Sequence, residues 1–152
     1  MSYIAAAKNG IDRLVDNIRQ VIVVQPATLE TILASKIAGG HVILADAHGV
    51  GKTSLARALS GSIDWGEGQT KDGVKIEPFS RIQCTVDLLP QDILGFNRFD
   101  MQSNRTTFHS GPIFANFILC DEINLLTPKT QGSFLQVMEE QRITIEGSTY
   151  HL

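Results

Sequence analysis

A chain of 152 residues, 43% hydrophobic and 19% charged, has the length and balance of one globular domain, and this composition argues against disorder. A formal net charge of −3 leaves no basic footprint, so direct binding of nucleic acid has no electrostatic starting point. No apolar run approaches the roughly 18 residues of a spanning helix, and no cationic stretch precedes the apolar residues after Met1; the reading is a cytoplasmic protein.

Taken in order, Ile11, Leu14, Val15 and Ile18, with Val21 or Ile22, recur at helical spacing and predict an amphipathic helix from Gly10. Pro26 fits the first turn of a second helix carrying Leu29, Ile32, Leu33 and Ile37 on one face, and Gly39-Gly40 stops it. His41 to Ala45 is a short apolar run before a glycine-rich loop, which predicts a strand buried on both faces. The loop is Asp46-Ala47-His48-Gly49-Val50-Gly51-Lys52-Thr53-Ser54. Gly49 and Gly51 carry no Cβ, so successive backbone N–H groups can curl round a phosphate at the positive end of the next helix. Lys52 adds a mobile charge that reaches β- and γ-phosphates, and the Thr53 hydroxyl suits a Mg²⁺ that keeps most of its waters. Asp46 stands where the usual G-x-x-x-x-G-K-[ST] pattern begins with glycine, but the core G-x-G-K-T is intact. Leu55, Ala56, Ala58 and Leu59 continue into a helix that Gly61 ends.

Residues 61–78 turn polar and glycine-rich and read as a loop or insertion. A strand is predicted from Phe79 to Cys84, a short helix from Asp87 that breaks at Gly95, and a hairpin over 96–110 around Ser103-Asn104-Arg105, with Phe96, Phe99 and Phe108 on either side. Asn116 to Glu122 is an apolar strand ending in two carboxylates. Alone, such an ending is more often a solvated turn. Following a phosphate loop in a βαβ pattern, Asp121 can hold the hydration shell of Mg²⁺, and Glu122 can polarise a water for in-line attack on a γ-phosphate. That pair is the candidate Walker B partner of the loop. A helix from Pro128 to about Glu140 and a hairpin of Arg142–Ile145 with Thr149–Leu152 follow. Cys84 and Cys120 fall in β-runs and read as buried free thiols, and His41, His48, His109 and His151 show no metal-ligand spacing.

With these segments in hand, the chain resembles the N-terminal part of MoxR-type AAA+ ATPases. The resemblance rests on Gly39 to Leu44 with the phosphate loop, Arg81-Ile82-Gln83 with Thr85 and Asp87 to Gly95, Gly111 to Asn116, and Asp121 to Asn124 with Pro128 to Gln131. It implies an α/β P-loop NTPase fold: a three-layer, doubly wound parallel sheet, incomplete here, with small β-hairpin insertions, one of them residues 96–110 in the second core helix. It implies ATP and Mg²⁺ as ligands, a hexamer-type homo-oligomeric ring, and ATP-driven remodelling or maturation of client proteins that the sequence does not name. By the same carry-over, Ile22, Val23 and Val24 border the adenine, Asp46 to Ser54 hold the phosphates, Thr53 and Asp121 serve the metal, and Lys52, Asp121 and Glu122 serve catalysis. His48 stands where proline is usual, Val24 where glycine is usual and Leu125 where arginine is usual. The resemblance further implies that residues 1–152 stop before the sensor strand, arginine finger and helical lid, so hydrolysis by this stretch alone is not expected. A sheet without that sensor strand would leave parallel edges open or close up differently. Two other readings stay open: a nucleotide-binding regulatory scaffold without turnover, and another P-loop NTPase such as a kinase or GTPase.

Overall fold

The computed structural model describes residues 3–45, 51–66 and 68–152. The chain divides into two units, residues 1–64 and 65–152.

The first unit is helical, with α1 (Tyr3–Val21), α2 (Pro26–Ile37) and α3 (Lys52–Gly61). Helix α1 starts at Tyr3 and not at Gly10 as expected, because Ala5, Ala6 and Ala7 are strong helix formers and extend it backwards without burying anything. Of its predicted stripe, Ile18 is fully buried and Leu14 and Val15 are half-buried, whereas Ile11 and Val21 are exposed. Pro26 opens α2 after an extended Gln25, as the fixed φ of proline favours. Gly39, at φ 72°, ends it, and the Gly40 N–H returns to the Ser35 carbonyl at 2.8 Å. Leu29, Ile32 and Leu33 are buried as expected, whereas Ile37 in the last turn is exposed. Helix α3 buries Leu55, Ala56, Ala58 and Leu59, again as predicted.

The expected strand at His41–Ala45 is not formed: these residues carry no ladder, and Ile43 is 87% exposed. An apolar run becomes a strand only when a neighbouring strand takes up its backbone N–H and C=O groups, and among the described residues no strand pairs with it.

The second unit holds β1 (Thr70–Lys71), β2 (Val74–Lys75), β3 (Ser80–Gln83), α4 (Pro90–Leu94), β4 (Gly95–Asp100), β5 (Arg105–Ser110), β6 (Ile118–Asp121), α5 (Pro128–Glu140), β7 (Arg142–Ile145) and β8 (Ser148–His151). Strands β3 and β6 pair in parallel, with Ser80 opposite Ile118 and Gln83 opposite Asp121. An isolated bridge between Glu77 and Ala115 prolongs their alignment upstream. The other pairs, β1–β2, β4–β5 and β7–β8, are antiparallel hairpins. This is an α/β fold with a parallel sheet and small antiparallel hairpins, and the described part of that sheet is the β3–β6 pair.

The hairpins at 95–110 and 142–151 are those expected, but β1–β2 lies inside the stretch read as a loop. Its turn is Asp72-Gly73, both at positive φ (50° and 77°), the two-residue geometry whose twist matches the flanking strands. The core joins Ile82 within β3 and Cys84 just after it to Ile93, Ile113, Phe114, Phe134, Val137 and Ile143. Phe108 of β5 stacks on Tyr150 of β8 with centroids 4.3 Å apart, and Phe114 meets Phe108 edge-on. These ring contacts bind the two longer hairpins to the α/β core at its aromatic side.

Candidate functional site

In the first unit, Gly51 caps α3 at φ 87° and ψ 17°, a left-handed conformation that suits glycine, and its carbonyl accepts the Leu55 N–H at 2.9 Å. Lys52, Thr53 and Ser54 are therefore the opening turn of α3, where backbone N–H groups have no helical partner and face anions. A Cβ at Gly51 would meet Ile22 Cδ1 at 3.4 Å, so the structure brings the first of the predicted adenine-side residues against the loop. Ile22 and Val24 are half-buried and Val23 is fully exposed. A groove of about 360 Å³ beside α3 is lined by Asn17, Val21, Ser54, Arg57, Ala58 and Ser62, with Gly61 at its end. Asp46, Ala47, His48, Gly49 and Val50 lie outside the described residues.

In the second unit, Asp121 is the last residue of β6 and Glu122 follows it at φ 56° and ψ 44°. A left-handed backbone at a non-glycine residue is a strained conformation that its surroundings must enforce. Three groups enforce it. The Cys84 N–H donates to the Asp121 carbonyl at 2.9 Å, tying the end of β6 to the chain just after β3. The Leu125 N–H returns to the Glu122 carbonyl at 2.9 Å, closing a 3-10 turn over Ile123–Leu125. The Gln131 Nε2 amide donates to the Leu126 carbonyl at 3.1 Å and to the Ile123 carbonyl at 3.4 Å, so the first turns of α5 hold the segment leaving Glu122. Helix α5 is itself anchored: Thr127 Oγ1 accepts the Thr130 N–H, and buried Thr130 donates its hydroxyl to the Leu88 carbonyl at 3.0 Å.

The side chain of Asp121 is one-fifth exposed and carries an ion pair that the sequence did not foretell. Arg81 of β3 donates from Nε to Oδ2 at 2.7 Å, and its Nη2 lies 2.6 Å from the same oxygen as an ion pair. The same Nη2 donates to Gln83 Oε1 at 3.2 Å. Arg81 and Gln83 are two apart on β3 and so share a face, and Gln83 is directly opposite Asp121.

The two thiols sit on the other face of this strand end. Cys84 is fully buried and Cys120 half-buried, and both are free. Burial, reinforced by Cys84 and by the Asp121 charge, pushes the Cys120 thiol up to about 12, and burial also raises Cys84. Neither is a nucleophile at neutral pH, in agreement with their reading as packing residues. No helix among the described residues is long and apolar enough to cross a membrane.

Thr53 offers a hydroxyl at a helix start and Asp121 a carboxylate at a strand end, each a hard oxygen of the kind Mg²⁺ takes. The two belong to separate units, each described within its own frame.

The sequence profile of the ATPase family associated with various cellular activities (AAA) matches residues 41–152. The chain is 38% identical over 142 residues to the uncharacterized protein YeaC of Bacillus subtilis (strain 168), covering 93% of this chain and 41% of that protein. It is 33% identical to the chaperone MoxR1 of Mycobacterium tuberculosis (strain ATCC 25618 / H37Rv), over 97% of this chain and 36% of that one. A crystal structure from Cytophaga hutchinsonii ATCC 33406, described provisionally as an ATPase, superposes with a TM-score of 0.72 at 33% identity, over 95% of this chain and 40% of that chain. The chain thus spans about two fifths of the length of these relatives. With a matched profile over most of its length and MoxR proteins among its relatives, the chain belongs to the AAA family of ATPases and is of the MoxR type.

Proposed function

We propose that this chain carries the nucleotide-binding elements of a cytoplasmic ATPase subunit that works in a ring, of hexamer type, and uses ATP with Mg²⁺ to remodel client proteins. The observation that supports it best is the end of β6: a carboxylate pair, Asp121 and Glu122, at the carboxyl end of a parallel strand, with the second residue held in a strained backbone. The carboxyl ends of parallel strands are where α/β sheets bind ligands.

In this reading the residues divide the work by chemistry. The N–H groups opening α3, with Gly49 and Gly51, cradle the polyphosphate, and Lys52 neutralises its β- and γ-oxygens. Ile22, Val23 and Val24 border the adenine. Thr53 and Asp121 are the residues that would hold the cation, which would supply charge neutralisation at the β- and γ-phosphates. Glu122 accepts a proton from the attacking water and aims it in line.

The test is a pair of substitutions in the full-length protein. Lys52→Ala is expected to abolish binding of a labelled ATP analogue, whereas Glu122→Gln should keep that binding and lose phosphate release. Unchanged affinity in Lys52→Ala sinks the phosphate-loop assignment. Loss of binding together with turnover in Glu122→Gln assigns Glu122 a structural role. A scaffold that binds without turnover is the second reading, favoured by Asp46 and His48 in the loop; undetectable phosphate release by the wild-type protein, with intact binding, would select it.

A further inference from the structure

We propose that Arg81 is the counter-ion of Asp121 in the cation-free site, and that the Arg81–Asp121 pair sets the divalent-cation concentration at which nucleotide binds. The inference rests on the reading of Asp121 as the cation-side carboxylate.

Four observations carry it. First, Asp121 is only one-fifth exposed, and a carboxylate largely removed from water needs a compensating charge; Arg81 supplies it from the neighbouring strand. Second, the Nε hydrogen bond and the Nη2 ion-pair contact both fall on a single oxygen, Oδ2. The carboxylate is compensated but not enclosed. Third, Arg81 is 44% exposed, so its head can leave along its flexible stem toward water without unpacking the core. Fourth, Gln83 Oε1 already accepts from Arg81 Nη2 and lies opposite Asp121 in the ladder, which offers the displaced guanidinium a second acceptor.

A guanidinium at one carboxylate oxygen and a divalent cation's hydration shell at the other repel each other across a few ångströms. The cation must either work against that repulsion or displace the arginine. In either case, removing the arginine charge strengthens cation binding.

The experiment titrates MgCl₂ into the full-length protein with a fixed, sub-saturating amount of a fluorescent, non-hydrolysable ATP analogue and reads the half-saturating Mg²⁺ concentration by anisotropy. Roughly a five- to tenfold fall is expected in Arg81→Gln, the order of one removed charge at a part-exposed site. A smaller fall of about two- to threefold is expected in Arg81→Lys, which keeps the charge but loses the fork. Binding measured in EDTA should not change. A half-saturation that is unchanged or higher in Arg81→Gln overturns the proposal, since a residue that merely supports the fold would give that result. Should Arg81→Gln fail to fold by circular dichroism, Arg81→Lys decides by the sign of its shift. Asp121→Asn separates the two layers of argument. If Asp121→Asn leaves the Mg²⁺ dependence unaltered, the reading of Asp121 itself fails. If it weakens that dependence while both Arg81 variants match wild type, only the counter-ion proposal fails.

Discussion

Gly95→Ala should unfold the junction between α4 and the β4–β5 hairpin, and its cost can be worked from the backbone. Gly95 ends α4 at φ 99° and ψ 175°, a region in essence reserved for glycine. Forcing an L-residue there costs on the order of 1–3 kcal/mol. A Cβ would also stand 2.4 Å from the His109 carbonyl oxygen, 2.7 Å from the Gly111 nitrogen and 2.9 Å from Phe108 Cζ. The first two are backbone atoms of the paired strand and its exit, so relief requires breaking the Gly95–Ser110 register; overpacking of this kind costs about 1–3 kcal/mol more. The sum, about 2–6 kcal/mol, is a large share of the roughly 5–15 kcal/mol that stabilises a domain. At about 2–4 °C per kcal/mol for a chain of this size, the melting temperature should fall by roughly 5–20 °C. The assay is thermal unfolding followed by far-UV circular dichroism in the full-length protein. The matched control is Gly132→Ala, inside α5, where a Cβ meets nothing within 4 Å and φ is not left-handed. Alanine there gains about 1 kcal/mol of helix propensity and should raise the midpoint by a few degrees. A Gly95→Ala midpoint within about 2 °C of wild type would refute the steric argument, and a fall in Gly132→Ala equal to that of Gly95→Ala would show that the sign is not set by local space.

Thr130→Val should cost about 1–3 kcal/mol, because it leaves the Leu88 carbonyl without its 3.0 Å donor in a site that is 1% exposed; chemical denaturation with an unchanged m-value checks it. Asp72 is held below the usual carboxylate value first by the His151 backbone N–H and then by the His151 ring, so its contribution is present above the unfolded-state value and is lost as pH falls through the lower folded-state value. Amide exchange at the β1–β2 hairpin should therefore accelerate selectively at acid pH in wild type, and Asp72→Asn should remove that acid dependence while the left-handed turn, which asparagine tolerates, survives.

The elements that sequence reading recovered are those whose cause is local. Pro26 and Pro128 each open a helix, the second behind a Thr127 cap, and Gly39 closes one, whereas the short helix expected from Asp87 begins at Pro90. Hydrophobic spacing named Ile18, Leu29, Ile32, Leu33, Leu55 and Leu59 as inward-facing, and all are buried. The 95–110 hairpin announced itself by aromatics either side of a polar turn. The failures have two different causes. The β1–β2 hairpin was legible in Asp72-Gly73 but was masked by the surrounding glycines, which suggested a structureless tract. His41–Ala45 fails for the opposite reason. Its residues have every local mark of a buried strand, yet strand formation is a property of a pair, and no composition of five residues contains the partner.

The same distinction governs the candidate site. Lys52, Thr53, Asp121 and Glu122 can be named as candidates from sequence because each is defined by its own neighbours: a glycine before a helix start, or a polar pair after an apolar strand. Arg81 stood within a matched segment and still acquired no role, since forty residues separate it from Asp121 and only the parallel register of β3 on β6 brings the two together. Gln131 is hidden in the same way, because its amide is three residues into α5 while the carbonyls it satisfies belong to the turn beyond Glu122. In a parallel pair the chemistry-bearing residues end one strand, and the residues that orient them come from the strand beside it and the helix after it. The motif therefore names the candidate groups, and the ladder has to be known before the residues that contact them can be named. A search for further positioning residues in this chain would accordingly start from the side of β3 that faces Asp121, at Arg81 and Gln83, and not from the sequence surrounding the motif.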